Sequence, residues 1–139
     1  MNAERKYDLE DRLIDFAVEI IKITECLFNT KAGNHIGGQL VRSGTSPALH
    51  YGEAQSAESR SDFIHKLKIL LKELRESRSA MKIIKRAPLT DKMEQLEKGL
   101  AECNELISIF VKSIETAKRN LENEKINKAK KKNEEEKNA

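Results

Sequence analysis

The sequence predicts an all-α protein, an antiparallel up-down four-helix bundle, and three observations carry that prediction. Apolar residues recur at alternating steps of four and three over most of the chain, which places them on one face of a helix. Only 2 Pro and 6 Gly occur in 139 residues, so little interrupts long helices. Aromatic residues are 4%, Trp is absent and charged residues are 35%. A core must then be built from Leu, Ile, Val, Ala and Met, which suits helix packing better than sheets.

The first helix is expected from about Tyr7 to Phe28, with Leu9, Leu13, Phe16, Ile20, Ile23 and Leu27 on one face. Residues Asn29 to Gly38 contain Gly33, Gly37 and Gly38 and read as a connection with a weak helix start. The second helix is expected from about His35 to Ala57, with the stripe Ile36, Leu40, Gly44, Pro47, Tyr51 and Ala54. Pro47 lacks a backbone donor and crowds the preceding turn, so a kink is expected there. The third helix runs from about Ser61 to Arg86, with Ser59 or Ser61 as its start signal. Its seam is Phe63, Leu67, Leu70, Leu74, Ser77, Met81 and Ile84, and Pro88 stops it. The fourth begins after Thr90 or Asp91, either of which can cap it. Leu89, Met93, Leu96, Leu100, Cys103, Ile107, Phe110, Ile114, Ala117 and Leu121 hold its heptad step. Such seams pack at small crossing angles, and short connections make sequential helices antiparallel.

One bundle domain is thus expected over residues 1–121. Residues 122–139 are Lys, Glu and Asn with little apolar content and cannot bury themselves, so a frayed helix or disorder is expected.

Charge and composition exclude several classes. The net charge is +3. The segment 118–139 holds 8 Lys/Arg and 5 Glu, which accounts for all of it, and the rest balances at 18 of each sign. Residues 59–86 carry 9 basic and 3 acidic groups, while 4–28 carry 4 and 7 and 90–117 carry 3 and 6. The third helix is therefore basic and the first and fourth are acidic. No apolar run approaches the ~18 residues that span a bilayer. No apolar segment follows Met-Asn-Ala-Glu-Arg-Lys, so no signal peptide and a cytoplasmic location are expected. Cys26 and Cys103 then read as reduced core residues.

Chemistry is sought without success. His35, His50 and His65 are fifteen residues apart and do not form a two-His metal pair on one helix face. No Cys-x-x-Cys, phosphate loop or Gly-x-Ser-x-Gly elbow occurs. Cys103 sits on a seam, a poor place for a nucleophile. Glu94 with Glu97, and Asp11 with Asp15, are surface spacings. No catalytic residue, metal, cofactor or small-molecule substrate is expected.

Two polar rows remain. Gln39, Arg42, Ser46, His50 and Glu53 fall within about 80° of one another beside the apolar stripe of the second helix. Arg42 and Glu53 are ~16 Å apart along the axis, so each needs a partner from another helix or subunit. The row reads as hydrogen bonds that fix helix register or as a ligand-binding row. On the third helix Lys68, Lys72, Arg75, Lys82 and Arg86 share a face over ~27 Å, with Ser79 in the gap. Such a row can follow a phosphate backbone. It can also be a solvated face, or one paired with Asp8, Asp15 and Glu19 of the first helix.

Self-association is also expected. Ile14, Val18 and Ile21 lie well off the core line of the first helix and share one face, and Ile69 and Ile83 lie away from the seam of the third. These five are the candidate oligomer-interface residues.

The segment Gln39 to Phe63, QLVRSGTSPALHYGEAQSAESRSDF, is similar to the signature of the four-helix-bundle family known as 23S rRNA intervening-sequence or S23 ribosomal proteins. Gln39, Leu40 and Arg42 match the Gln-Leu-x-Arg that begins that family's second helix. Ser46 and Glu53 match a Ser-x-x-x-Asn-x-x-Glu-Gly element, and Ser61 and Phe63 lie in the region of that family's Arg-x-Ser-x-x-Phe. His50 stands where Asn is usual and Ala54 where Gly is usual. The resemblance covers roughly residues 7–117 and is strongest over 39–75. It implies a homopentameric, barrel-like ring. A relative, the accessory variability determinant of diversity-generating retroelements, partners a reverse transcriptase and RNA. By analogy, the expected function is a non-enzymatic accessory scaffold for RNA or a nucleoprotein, bound through the basic row. The alternative is a protein–protein adaptor that docks a polypeptide around Ile69 and Ile83.

Overall fold

A computed structural model describes residues 8–139. The expected helix start at Tyr7 and the N-terminal hexapeptide lie outside these residues. Four helices are present, α1 (Leu9–Glu25), α2 (Lys31–Gln55), α3 (Arg60–Arg86) and α4 (Met93–Lys137), and no strand occurs among the described residues.

Side-chain caps set three of the four starts. Asp8 Oδ1 accepts from Asp11 N at 2.8 Å, Thr30 Oγ1 from Gly33 N at 3.0 Å, and Ser59 Oγ from Asp62 N at 3.0 Å. The Thr30 cap moves the start of α2 to Lys31, before the expected His35. The glycines read as a connection are thus inside the helix. A Cβ on Gly33 would collide with the carbonyl oxygen of Phe28, so the chain doubles back tightly there only with Gly. Pro47 lies within α2, which continues to Gln55. At α4 neither expected cap serves: the cap position is Lys92, with no side-chain bond. Thr90 is instead a brace, its hydroxyl donating to the Cys26 carbonyl at 3.2 Å and accepting from Lys92 N at 3.1 Å.

Contacts run around a square, with α1 on α2 and α4 and α3 on the same two; the α1–α4 side is the loosest. Ile20 of α1 faces Gly44 of α2, and Leu27, just past the end of α1, faces Gly37. Between α3 and α4, Arg60 meets Glu124 at 2.8 Å, Arg78 meets Asn104 at 3.3 Å and Lys85 meets Glu97 at 2.9 Å. Residue numbers therefore rise on one helix as they fall on its neighbour. Across the diagonal, the rings of Tyr51 and Phe110 meet edge to face with centroids 5.8 Å apart.

The core follows the heptad seams. Leu13, Phe16, Ile20, Leu40, Leu67, Leu70, Leu74, Met81, Ile84, Leu96 and Phe110 are all fully buried. Leu106, off the expected seam, joins them. Two buried hydroxyls cross it: Ser77 Oγ lies 2.9 Å from Ser43 Oγ and 3.0 Å from the Glu73 carbonyl, which ties α2 to α3 without a stranded polar group.

Residues 122–137 continue α4 as helix with exposed side chains. Lys, Glu and Ala are good helix formers, and the backbone bonds of a helix need no tertiary partner. Among the described residues, the last ion pair between this stretch and another helix is Arg60 to Glu124. No described helix is long and apolar enough to cross a membrane.

Candidate nucleic-acid interface

The basic side chains of α3 divide into two sets once their acidic neighbours are located. Asp62 is 3.8 Å from Lys66 of its own helix. Glu73 and Glu76, the other α3 acids, are both taken by Arg42 of α2, at 3.0 and 2.6 Å. Lys85 and Arg60 pair with Glu97 and Glu124 of α4, and Arg78 bonds the Asn104 amide oxygen. The remainder is Lys68, Lys72, Arg75, Lys82 and Arg86, the row that the sequence singles out. None of these five makes an ion pair with a described residue, and all are exposed. Asp8, Asp15 and Glu19 do not neutralise them, because α1 packs on α2 and α4 and not on α3.

Two depressions hold the five. Lys68, Lys72 and Arg75 line an open groove of about 820 Å³ beside α2, with Gln39 and Arg42 on its far wall and Ile36, Leu71, Ala80 and Ile83 below. Lys82 and Arg86 line a smaller one of about 400 Å³ toward α4, with Lys85, Glu97 and Leu100. The row is thus one stripe along α3 that overlooks both sides of the helix.

The polar row of α2 does not act as one unit. Arg42 crosses to α3, and the hydrogen bond to Glu76 with the charge of Glu73 raises its pKa above the ordinary arginine value. The Ser46 hydroxyl donates to the Arg42 carbonyl at 2.6 Å. His50 Nδ1 is 3.8 Å from Glu53 within the same helix. Gln39 is exposed at the groove. Arg42 therefore finds the interhelical partner its isolation demanded, whereas Glu53 meets, among the described residues, only His50 of its own helix.

The apolar candidates also separate. Ile14, Val18 and Ile21 are 45%, 44% and 43% exposed on α1. On α2, Leu49 is 71% exposed, and exposed Val41 borders a shallow groove shared with Thr24 of α1 and Leu27 just beyond it. Ile83 is exposed at the α2–α3 groove, whereas Ile69 is half-buried.

Two features escaped the sequence reading. Arg12 of α1 grips Glu102 through Nε and Nη2 at 2.8 and 2.7 Å and reaches Glu105 at 2.6 Å, bracing the loosest side of the square. The Cys103 thiol donates to the Leu74 carbonyl at 3.2 Å, and burial pushes it up to about 12. Cys26 is half-buried, and neither cysteine is in a disulfide.

A family model described as "23S rRNA-intervening sequence protein" matches residues 5–112. A solved structure from Bacteroides thetaiotaomicron VPI-5482, titled as a protein with unknown function from the S23 ribosomal protein family, is 32% identical. The match covers 77% of this chain and 98% of that one, with a TM-score of 0.69. No curated protein matches. With the match over most of its length and the four helices in place, this chain belongs to the 23S rRNA-intervening sequence protein family.

Proposed function

We propose that this antiparallel up-down bundle assembles into a homopentameric ring and acts as a non-enzymatic, cytoplasmic accessory protein for RNA or a nucleoprotein, such as one containing a reverse transcriptase. The α3 row is the contact, and no membrane or small-molecule substrate takes part. The observation that carries the reading is the fate of the α3 acids. Arg42 and Lys66 engage all three of them, and five cations on one face are left for an external polyanion. The exposed Ile14, Val18 and Ile21 supply an apolar face for a neighbouring copy, and a ring repeats the row in every subunit. Repetition strengthens contacts that are weak singly.

The test is a variant carrying Lys68→Glu, Lys72→Glu and Arg75→Glu. Its mass by light scattering stays that of the wild type, and its retention of structured RNA at low salt is lost. Unchanged retention removes the reading. A second reading rests on Ile83, 50% exposed beside an apolar groove floor. There the groove docks another polypeptide, binding is insensitive to salt, and a protein is recovered from extract after nuclease treatment.

A further inference from the structure

We infer that the α3 face takes double-stranded RNA by its phosphates and does not read base sequence. The inference rests on the RNA reading above and adds the class of RNA.

The first argument is the placement of the aromatic side chains. The chain has 4 Phe, 2 Tyr and no Trp. Phe16 and Phe110 are buried, and Tyr51 stacks edge-on against Phe110. Phe63 is half-buried against the core, and Phe28 sits in the α1–α2 connection, where its N–H donates to the Leu89 carbonyl at 2.8 Å. Tyr7 is outside the described residues. The two depressions that hold the five cations are lined by no aromatic ring among the described residues. Proteins that hold unpaired strands draw about 1–3 kcal/mol per base from rings that stack on exposed bases. This face offers none, so the unpaired strand loses its main advantage over the duplex.

The second argument is rigidity. The steps Lys68–Lys72–Arg75–Lys82–Arg86 are four, three, seven and four residues, or about 6, 4.5, 10.5 and 6 Å along a helix axis. Buried Leu67, Leu70, Leu74, Met81 and Ile84 fasten the opposite face of α3 to the core, so the backbone that carries the row is held in place. A duplex presents phosphates on an equally fixed lattice. A flexible strand must be ordered to meet the same row, at an entropic cost for each immobilised unit.

The third is access to bases. The row lies along the side of a packed helix, and the RNA major groove is too deep and narrow for such side chains to enter. The wide minor groove offers phosphates and 2′-hydroxyls, and exposed Ser79 stands in the gap of the row as a donor for either.

The experiment is fluorescence anisotropy of the full-length protein with an RNA duplex of about 20 base pairs, its two unpaired strands, and a duplex of shuffled sequence. The expected result is duplex binding about tenfold or more tighter than either strand, changed less than about twofold by shuffling. With five phosphates met per subunit, the slope of log K against log salt is about −4.5. Lys68→Gln, Lys72→Gln and Arg75→Gln together, which remove charge from exposed positions without reversing it, reduce the slope by about 2.7. An unpaired strand bound as tightly as the duplex, with the slope still reduced by the Gln variant, overturns the duplex inference and leaves the RNA reading standing. A slope that the Gln variant does not move, or no binding of the duplex or of either strand at any salt, overturns both.

Discussion

Replacing Gly44 with Ala tests whether α1 and α2 are held at a distance that only a missing side chain permits. A Cβ at position 44 would lie 2.6, 2.8 and 3.0 Å from Cγ2, Cγ1 and Cβ of Ile20. Comfortable carbon contacts begin near 3.5 Å, so the shortfall is about 1 Å. Ile20 is fully buried and branched at Cβ, with one favoured χ1 in a helix, so it cannot swing aside. Relief must come from separating the helices, and overpacking of this kind costs about 1–3 kcal/mol. Ala is the better helix former by about 1 kcal/mol, which offsets part of the loss. Gly38 supplies the control, since it is exposed in the same helix and a Cβ there meets nothing within 4 Å. Gly38→Ala should therefore stabilise by about 0.5–1 kcal/mol. Both changes act alike on the unfolded chain, so their difference, about 2 kcal/mol, reports the native contact alone. The assay is urea unfolding followed by circular dichroism, at matched concentrations because assembly couples stability to concentration. Gly44→Ala as stable as Gly38→Ala would refute the close approach.

Arg12→Ala should destabilise by about 1 kcal/mol, more than a common surface pair, because the guanidinium binds Glu102 through two nitrogens. A double-mutant cycle with Glu102→Ala should show coupling, and strict additivity would contradict the contact. Cys103 should resist alkylation in the folded protein at pH 8 while half-buried Cys26 reacts, as mass spectrometry of labelled peptides can show. Its thiol titrates near 9 when exposed and near 12 when folded, so its contribution to stability is full below pH 9. That contribution is lost as pH rises toward 12, because the unfolded state ionises first. Cys103→Ala should flatten this part of the stability profile. Val18→Asp should lower the mass found by light scattering while leaving the helix content intact, since Val18 faces out of the bundle.

Much of the fold was legible because helical periodicity is local. The seam residues of all four helices could be read from spacing alone, and each of Leu13, Leu70 and Phe110 went where its spacing placed it. The start of α2 was misread because glycine has two uses. At Gly33 and Gly37 it allows close approach inside a helix, and nothing in the spacing distinguishes that from a flexible connection. Thr30 was the overlooked signal, a capping residue with its acceptor three positions before Gly33. The α3 row was legible because its members share a face. That Arg42 would absorb Glu73 and Glu76 was not, since pairing across helices depends on their relative height, which no single-helix pattern encodes. Thr90 likewise reads as a cap but is drawn off by the Cys26 carbonyl, a partner 64 residues away in sequence.

The Arg42 clamp has a consequence for residues it never touches. Its guanidinium holds two carboxylates on the α2 side of α3. Removed, it would free Glu76 to turn toward Lys72, one helical turn back on the same strip of surface. The groove would keep Lys68, Lys72 and Arg75 but set them against two released acids, and its local sum would fall from +2 to +1. A change on a neighbouring helix would thus dim the attraction for polyanions while every cation of the row stayed in place. Arg42 thus sets how strongly positive this face is, from the opposite wall of the groove.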